Sequence, residues 1–205
     1  MRKRFTRRAI AAAVLLIVLL FALVWPLHRP GLRVGQPLPP GKVAPQLATG
    51  WDTAVLLAPD GSLWTWGSNL HGQLGDGTTS NRWTPVRIGQ DRDWRTVAAG
   101  GDGSYALKLD GTLWGWGPDF AIPTLTPSQI APGTNWLAIA ADSGNLLVAL
   151  KTDGTLWLRG RRFNLLATHV DAGGVDGLKQ VGSANDWAAV YAGPDLFFAR
   201  KQDGS

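Results

Sequence analysis

One short phrase recurs along this 205-residue chain, and it limits the possible folds more than any other feature. It stands first as Asp60-Gly61-Ser62-Leu63-Trp64-Thr65-Trp66-Gly67, then as Asp110-Gly111-Thr112-Leu113-Trp114-Gly115-Trp116-Gly117. It returns as Asp153-Gly154-Thr155-Leu156-Trp157-Leu158-Arg159-Gly160, and Asp203-Gly204-Ser205 begins a fourth copy. The copies are 50, 43 and 50 residues apart, a period typical of propeller repeats. Asp-Gly between two alternating apolar runs specifies a two-residue hairpin, because the type I′ turn requires positive φ. Strands are expected before each turn over 53–58, 104–109 and 145–151, and after it over 62–66, 112–116 and 155–159. A further strand is expected ahead of each later hairpin, at Trp94 to Ala99, at Trp136 to Ala141 and, more loosely, at Leu178 to Val181. Trp64 and Trp66 lie two apart and so share one side of their strand.

Composition agrees with an all-β chain. Its 26 Gly, 13 Pro and 11 Trp suit tight turns and aromatic strands. All 15 acidic residues are Asp, which favours turns, and Glu, a good helix former, is absent. There is no Cys, which excludes disulfides, zinc thiolates and thiol catalysis. The net charge of +5 is carried by Arg2, Lys3, Arg4, Arg7 and Arg8; beyond them Lys and Arg balance Asp. The repeat region is therefore neutral, and nucleic-acid binding, which needs a basic face, is not expected.

The N-terminus reads as a membrane signal. Behind a basic segment (residues 1–8), Ala9 to Trp25 is an unbroken run of 17 apolar residues. As a helix it would span roughly 26 Å, near the lower limit for crossing a bilayer. The cations before it place the N-terminus in the cytoplasm. A single-pass anchor over 9–27 is expected rather than a cleaved signal peptide, whose apolar region is shorter and ends in a small-x-small site. Thr6-Arg7-Arg8 is read as part of a basic leader rather than as a twin-arginine signal. Residues 28–45, rich in Pro and Gly, read as an extended linker. Residues 46–205 carry the repeats, expected on the periplasmic or extracellular side of the cytoplasmic membrane.

The phrases Trp-x-x-Val-Ala-Ala-Gly and Ala-Leu-Lys-x-Asp-Gly-Thr-Leu-Trp-x-Trp-Gly, with Ser68-Asn69-Leu70-His71-Gly72-Gln73-Leu74-Gly75 and Thr84-Pro85-Val86, resemble the regulator of chromosome condensation (RCC1) repeat in its bacterial form. The later repeats depart from it: Pro118-Asp119-Phe120 and Arg161-Arg162-Phe163 stand where Gly-Gln-Leu-Gly would fall. The resemblance implies a β-propeller of four-stranded antiparallel blades. The fold class is thus all-β: a partial RCC1-like propeller of about three blades plus a stump, after one transmembrane helix. A closed propeller takes 4–8 blades. The remainder must therefore lie in a longer protein or come from another chain, and residues 46–205 alone are not expected to form a stable closed monomer.

No catalytic constellation stands out. The histidines (His28, His71, His169) are scattered, with no HxH or HExxH spacing, no nucleophile elbow and no phosphate loop. Single Asp residues at Asp60, Asp110, Asp153 and Asp203 fit hairpin turns better than calcium loops, which need alternating carboxylates. Asp91-Arg92-Asp93 reads as a solvated connection between repeats and His71 as a variable repeat residue. Trp64, Trp66, Trp114, Trp116 and Trp157 recur at fixed repeat positions, which indicates packing rather than ligand stacking. Arg159, Arg161 and Arg162 form the local basic cluster, weighed as a solvated loop or a partner contact. No cofactor or metal is expected. Nuclear members of the family act on a small GTPase, which a chain exported from the cytoplasm would not meet; bacterial members include secreted protein binders. The expected function is a non-catalytic protein-interaction scaffold. The alternative is a propeller enzyme or glycan-binding module acting on cell-envelope carbohydrate.

Overall fold

A computed structural model describes residues 43–101, 103–118, 124–142, 146–160, 177–193 and 196–205. The expected anchor over 9–27 and most of the linker lie outside these residues. Among the described residues no helix is long and apolar enough to cross a membrane.

The regular structure of these residues is strand. The first sheet contains β1 (Gln46–Thr49), β2 (Thr53–Leu57), β3 (Leu63–Gly67) and β4 (Arg82–Ile88), hydrogen-bonded in that order. The second contains β5 (Trp94–Ala99), β6 (Ser104–Lys108), β7 (Leu113–Gly117) and β8 (Thr124–Ala131), again in chain order. The third contains β9 (Trp136–Ala141), β10 (Leu147–Lys151), β11 (Leu156–Arg159) and the short β12 (Lys179–Gln180). A two-stranded sheet, β13 (Trp187–Gly193) and β14 (Leu196–Lys201), follows. All pairings are antiparallel, as expected for a propeller segment of three blades and a partial fourth.

Each hairpin closes on a leucine pair: Leu57 faces Leu63, Leu107 faces Leu113, and Leu150 faces Leu156. Alternation then sorts side chains between the gaps on either side of a sheet. Val55, Leu57 and Leu63 from the first sheet meet Val97, Ala106 and Trp116 from the second. The other side of the second sheet sends Tyr105, Leu107 and Leu113 against Trp136, Leu147 and Ala149 of the third. Leu146, Val148, Leu156 and Leu158 meet the partial fourth sheet in the same way. A sheet covered on both sides reads as a nearly continuous apolar run, which is why Leu-Val-Ala-Leu at 147–150 is buried throughout. Each such leucine contributes about 1.5–3 kcal/mol through burial.

Three features differ from the sequence-based expectations. Val43, placed in the linker, packs into the first core cluster. The first strand of the last repeat is Trp187–Gly193, not the segment from Leu178 to Val181. Lys179 and Gln180 instead form the fourth strand of the preceding sheet, paired with Leu158 and Trp157. The Trp spacing carries the true register, since Trp94, Trp136 and Trp187 each open the first strand of a sheet. Finally, β4 and β8 are strands despite Pro85 and Pro127. Both are edge strands, where a missing N–H does not interrupt the sheet.

Candidate functional site

The recurring Asp-Gly turns couple one sheet to the next. In the second, the Thr112 amide and hydroxyl both donate to Asp110 Oδ1, at 3.0 and 2.6 Å. Thr112 Oγ1 in turn accepts the indole N–H of Trp114 at 2.8 Å. Ser62 and Thr155 receive Trp64 and Trp157 in the same way. Gly111 has φ +80°, and an added Cβ there would overlap the carbonyl oxygen of Thr134 on the way into the next sheet. Its own carbonyl accepts the backbone N–H of Trp136 at 3.1 Å; Gly61 and Gly154 do the same for Trp94 and Trp187. The Asp-Gly phrase is therefore both a hairpin turn and a dock for the following blade. Hydrogen bonds from Thr112, Thr155 and Ser205 hold the carboxyls of Asp110, Asp153 and Asp203 below the usual carboxylate range.

Beside each turn a lysine lies between tryptophans. Lys108 Nζ is 4.8 Å from the ring centroids of both Trp94 and Trp114, which meet edge to face at 5.7 Å. Lys151 sits between Trp136 and Trp157 in the same manner. Burial opposes the charge of Lys108, but ion pairs with Asp91 and Asp93 outweigh it and raise the pKa of the ammonium. The segment 91–93, expected to be a plain solvated connection, thus anchors this lysine. Of the recurring tryptophans, Trp66 and Trp116 are buried, and Trp114 and Trp157 pack against core clusters.

The loop from Ser68 to Asn81 is a rigid platform. Asn69 is completely buried. It donates from Nδ2 to Asp76 Oδ1 and to the Thr78 carbonyl, and accepts the Leu74 N–H at 2.9 Å. Burial disfavours the charge on Asp76, yet hydrogen bonds from Thr78 and Arg82 prevail and lower its pKa. The loop also reaches the second sheet: the Gln73 carbonyl accepts from Ser104 Oγ at 3.1 Å, and the Gly77 N–H donates to the Leu125 carbonyl at 2.8 Å. At the same end of the first sheet, the Ser68 N–H donates to the Asp52 carbonyl at 2.8 Å and ties in the turn that carries Trp51.

This platform presents apolar side chains to solvent. Trp51 and Leu70 are each 66% exposed and Trp83, on β4, is 78% exposed. Leu125 is exposed beside Gly72 and holds on β8 the register position that Trp83 holds on β4. These residues were not singled out from the sequence. The signal was available: Trp51 and Trp83 are the tryptophans of the repeat region that fall at no recurring position. His71 is exposed in the same loop. Of the basic cluster, Arg159 is a buried residue at the end of β11, opposite Leu147, and so does not belong to a solvated loop. Arg161 and Arg162 lie outside the described residues. Among the described residues no three His, Cys, Asp or Glu side chains gather to hold a metal ion.

Two sequence profiles match the chain, both described as the regulator of chromosome condensation (RCC1) repeat, over residues 60–107 and 46–73. No curated protein matches it. Among solved structures it is similar to Prp20p from Saccharomyces cerevisiae, at 22% identity and a TM-score of 0.60, covering 77% of this chain and 43% of that one. It is similar to human WBSCR16 at 20% identity and a TM-score of 0.64, covering 86% and 48%. Yeast RCC1 (Prp20) bound to Kap60 gives 24% identity and a TM-score of 0.62, covering 77% and 41%. The chain thus spans less than half the length of each of these structures. Identities this low speak for the fold alone. Residues 46–107 thus match the RCC1 repeat, and the three four-stranded sheets share the fold of RCC1-like β-propellers.

Proposed function

We propose that this protein is a non-catalytic protein-interaction scaffold, held by an N-terminal membrane anchor with its repeats outside the cytoplasm. The observation that carries the interaction role is the contrast among the tryptophans. Those at repeat positions pack against Lys108, Lys151 and neighbouring strands, whereas Trp51 and Trp83 are spent on solvent. Exposed tryptophans on a rigid, polar-rimmed platform are the typical anchors of a protein interface. The carboxylates of Asp60, Asp110, Asp153 and Asp203 accept hydrogen bonds from a Ser or Thr two residues on, which suits turns rather than acid–base chemistry. Prp20p is described by its binding to Gsp1p and histones, and yeast RCC1 by a complex with Kap60, so propellers of this architecture serve as protein docks. The anchor rests on the 17-residue apolar run behind five cations.

The test compares the wild-type full chain with a Trp51→Ser/Trp83→Ser variant in cells treated with a short chemical cross-linker. Protein adducts that vanish in the variant, with an unchanged melting temperature, support the interface. Adducts identical in both would refute it. Carbonate extraction and protease treatment of spheroplasts test the display: the repeats should be digested from outside while the anchor stays with the membrane.

A further inference from the structure

A lysine against tryptophan recurs in three sheets, and in two of them the fold supplies the lysine with its own carboxylate. Lys108 lies over Trp94 and Trp114 and pairs with Asp91 at 2.6 Å and Asp93 at 3.3 Å. Lys201 lies 5.4 Å from the Trp187 ring and pairs with Asp186 at 3.0 Å. Asp93 and Asp186 hold the same place, immediately before the tryptophan that opens a sheet. Their backbones do the same work as well. The Leu109 N–H donates to the Asp93 carbonyl at 2.7 Å, and the Gln202 N–H donates to the Asp186 carbonyl at 2.8 Å.

The third sheet keeps this backbone and changes the side chain. The Thr152 N–H donates to the carbonyl of Asn135 at 2.9 Å, and Asn135 stands before Trp136. An uncharged amide thus replaces the carboxylate. Pro132, Gly133 and Thr134, the residues ahead of it, bring no carboxylate either, whereas Asp91 in the earlier connection reaches Lys108. Lys151 is nevertheless firmly clamped. Its Nζ is 4.7 Å from the ring centroid of Trp136 and 4.3 Å from that of Trp157. Asp153 lies near enough to feel this charge, but its Oδ1 is taken by the amide and hydroxyl of Thr155. Among the described residues Lys151 makes no ion pair.

Two indole rings strip water from an ammonium and hold it, but they do not neutralise it. A partly desolvated charge gains from an opposite charge brought to it. The clamp also fixes the lysine side chain in advance, so little rotamer freedom is lost when a partner arrives. The neighbouring sheets show which group fits against such an ammonium: a carboxylate, at 2.6 to 3.3 Å.

We infer that Lys151, clamped by Trp136 and Trp157, receives a carboxylate side chain from an acidic segment of a partner protein. That carboxylate takes the place that Asp93 and Asp186 fill for Lys108 and Lys201. The site lies at the Asp-Gly turns and involves neither Trp51 nor Trp83, so it stands apart from the platform.

The probe is hexaglutamate, incubated with the full chain in mild detergent and fixed with a water-soluble carbodiimide, which joins a carboxylate to a lysine it touches. Peptide mapping by mass spectrometry reads the adduct at each lysine. Lys151 should carry at least about threefold more hexaglutamate than Lys179, which is exposed and lies outside the clamps. The Asn135→Asp variant should lower the adduct at Lys151 by a similar factor and show an internal cross-link between position 135 and Lys151 instead. The Trp51→Ser/Trp83→Ser variant should give the wild-type adduct, which separates failure of this site from failure of the platform. Free glutamate should compete for Lys151 better than inorganic phosphate of equal charge. The inference is overturned if Lys151 carries no more adduct than Lys179, or if Asn135→Asp leaves the yield unchanged. It is also overturned if phosphate competes as well as glutamate, since the clamp would then attract any anion.

Discussion

Replacing Gly111 by alanine should uncouple the second blade from the third. Two costs arise, and they can be separated. An L-residue at φ +80° is disfavoured by about 1–2 kcal/mol. The new Cβ also overlaps the Thr134 carbonyl, which is backbone and cannot swing aside as a side-chain tip would. Relief requires the turn to draw back from β9 and stretches the hydrogen bond from the Trp136 N–H to the Gly111 carbonyl, 3.1 Å in the native structure. Losing that bond costs about 0.5–1.5 kcal/mol, and leaving a buried N–H unpaired costs about 1–3. The sum is about 2.5–6.5 kcal/mol. Gly89 provides the control: its φ is +61°, but nothing lies within 4 Å of an added Cβ. Gly89→Ala should therefore cost only the conformational ~1–2 kcal/mol. Urea unfolding of both variants, followed by tryptophan fluorescence with the slope held common, gives the comparison. If Gly111→Ala is no more destabilising than Gly89→Ala, the close approach between turn and next blade is not a coupling contact.

Other outcomes follow from the same geometry. Asn69→Ala should cost about 2–3 kcal/mol, because the Leu74 N–H and Asp76 lose a buried partner; a change under 1 would show that water takes its place. Trp51→Ser and Trp83→Ser should each stay within about 0.5 kcal/mol of wild type, while Trp116→Ala should cost about 3–5, all by urea unfolding. The carboxyls of Asp76, Asp110, Asp153 and Asp203 titrate below their ordinary 3.8. Their stabilisation is thus complete above that value and is lost as pH falls through the lower folded-state pKa values. Melting temperature should stay level down to about pH 5 and drop below about pH 4, with a smaller drop in Asp110→Asn; a decline that begins near neutrality would contradict this.

The hairpins were legible in the sequence because each has a turn that demands glycine and two strands of opposite alternation. The strand bounds at Trp94 to Ala99 and Trp136 to Ala141 match the structure residue for residue. What the sequence hid were strands that break the local rules. β4 and β8 contain Pro85 and Pro127, which argue against a strand unless it is known to lie at an edge. In the last repeat, Leu178 to Val181 offered only a loose strand signal ahead of Trp187; three-dimensional pairing with β11 shows which sheet owns it. The platform escaped notice for another reason. Recurrence explains residues that pack between blades, so attention to the recurring tryptophans passed over the exposed Trp51 and Trp83. Arg159 looked like part of a loop cluster because nothing local marks the last residue of β11 as enclosed.

The claim that non-recurring tryptophans form the partner surface is tested most directly by a photo-reactive phenylalanine analogue placed singly at positions 51, 83 and 114 of the full chain in living cells. Irradiation should give the same discrete protein adduct from positions 51 and 83. Position 114, where Trp114 packs beside Trp94 and Lys108, should give none. Adducts from position 114 alone, or none from 51 and 83 at equal expression, would contradict the account.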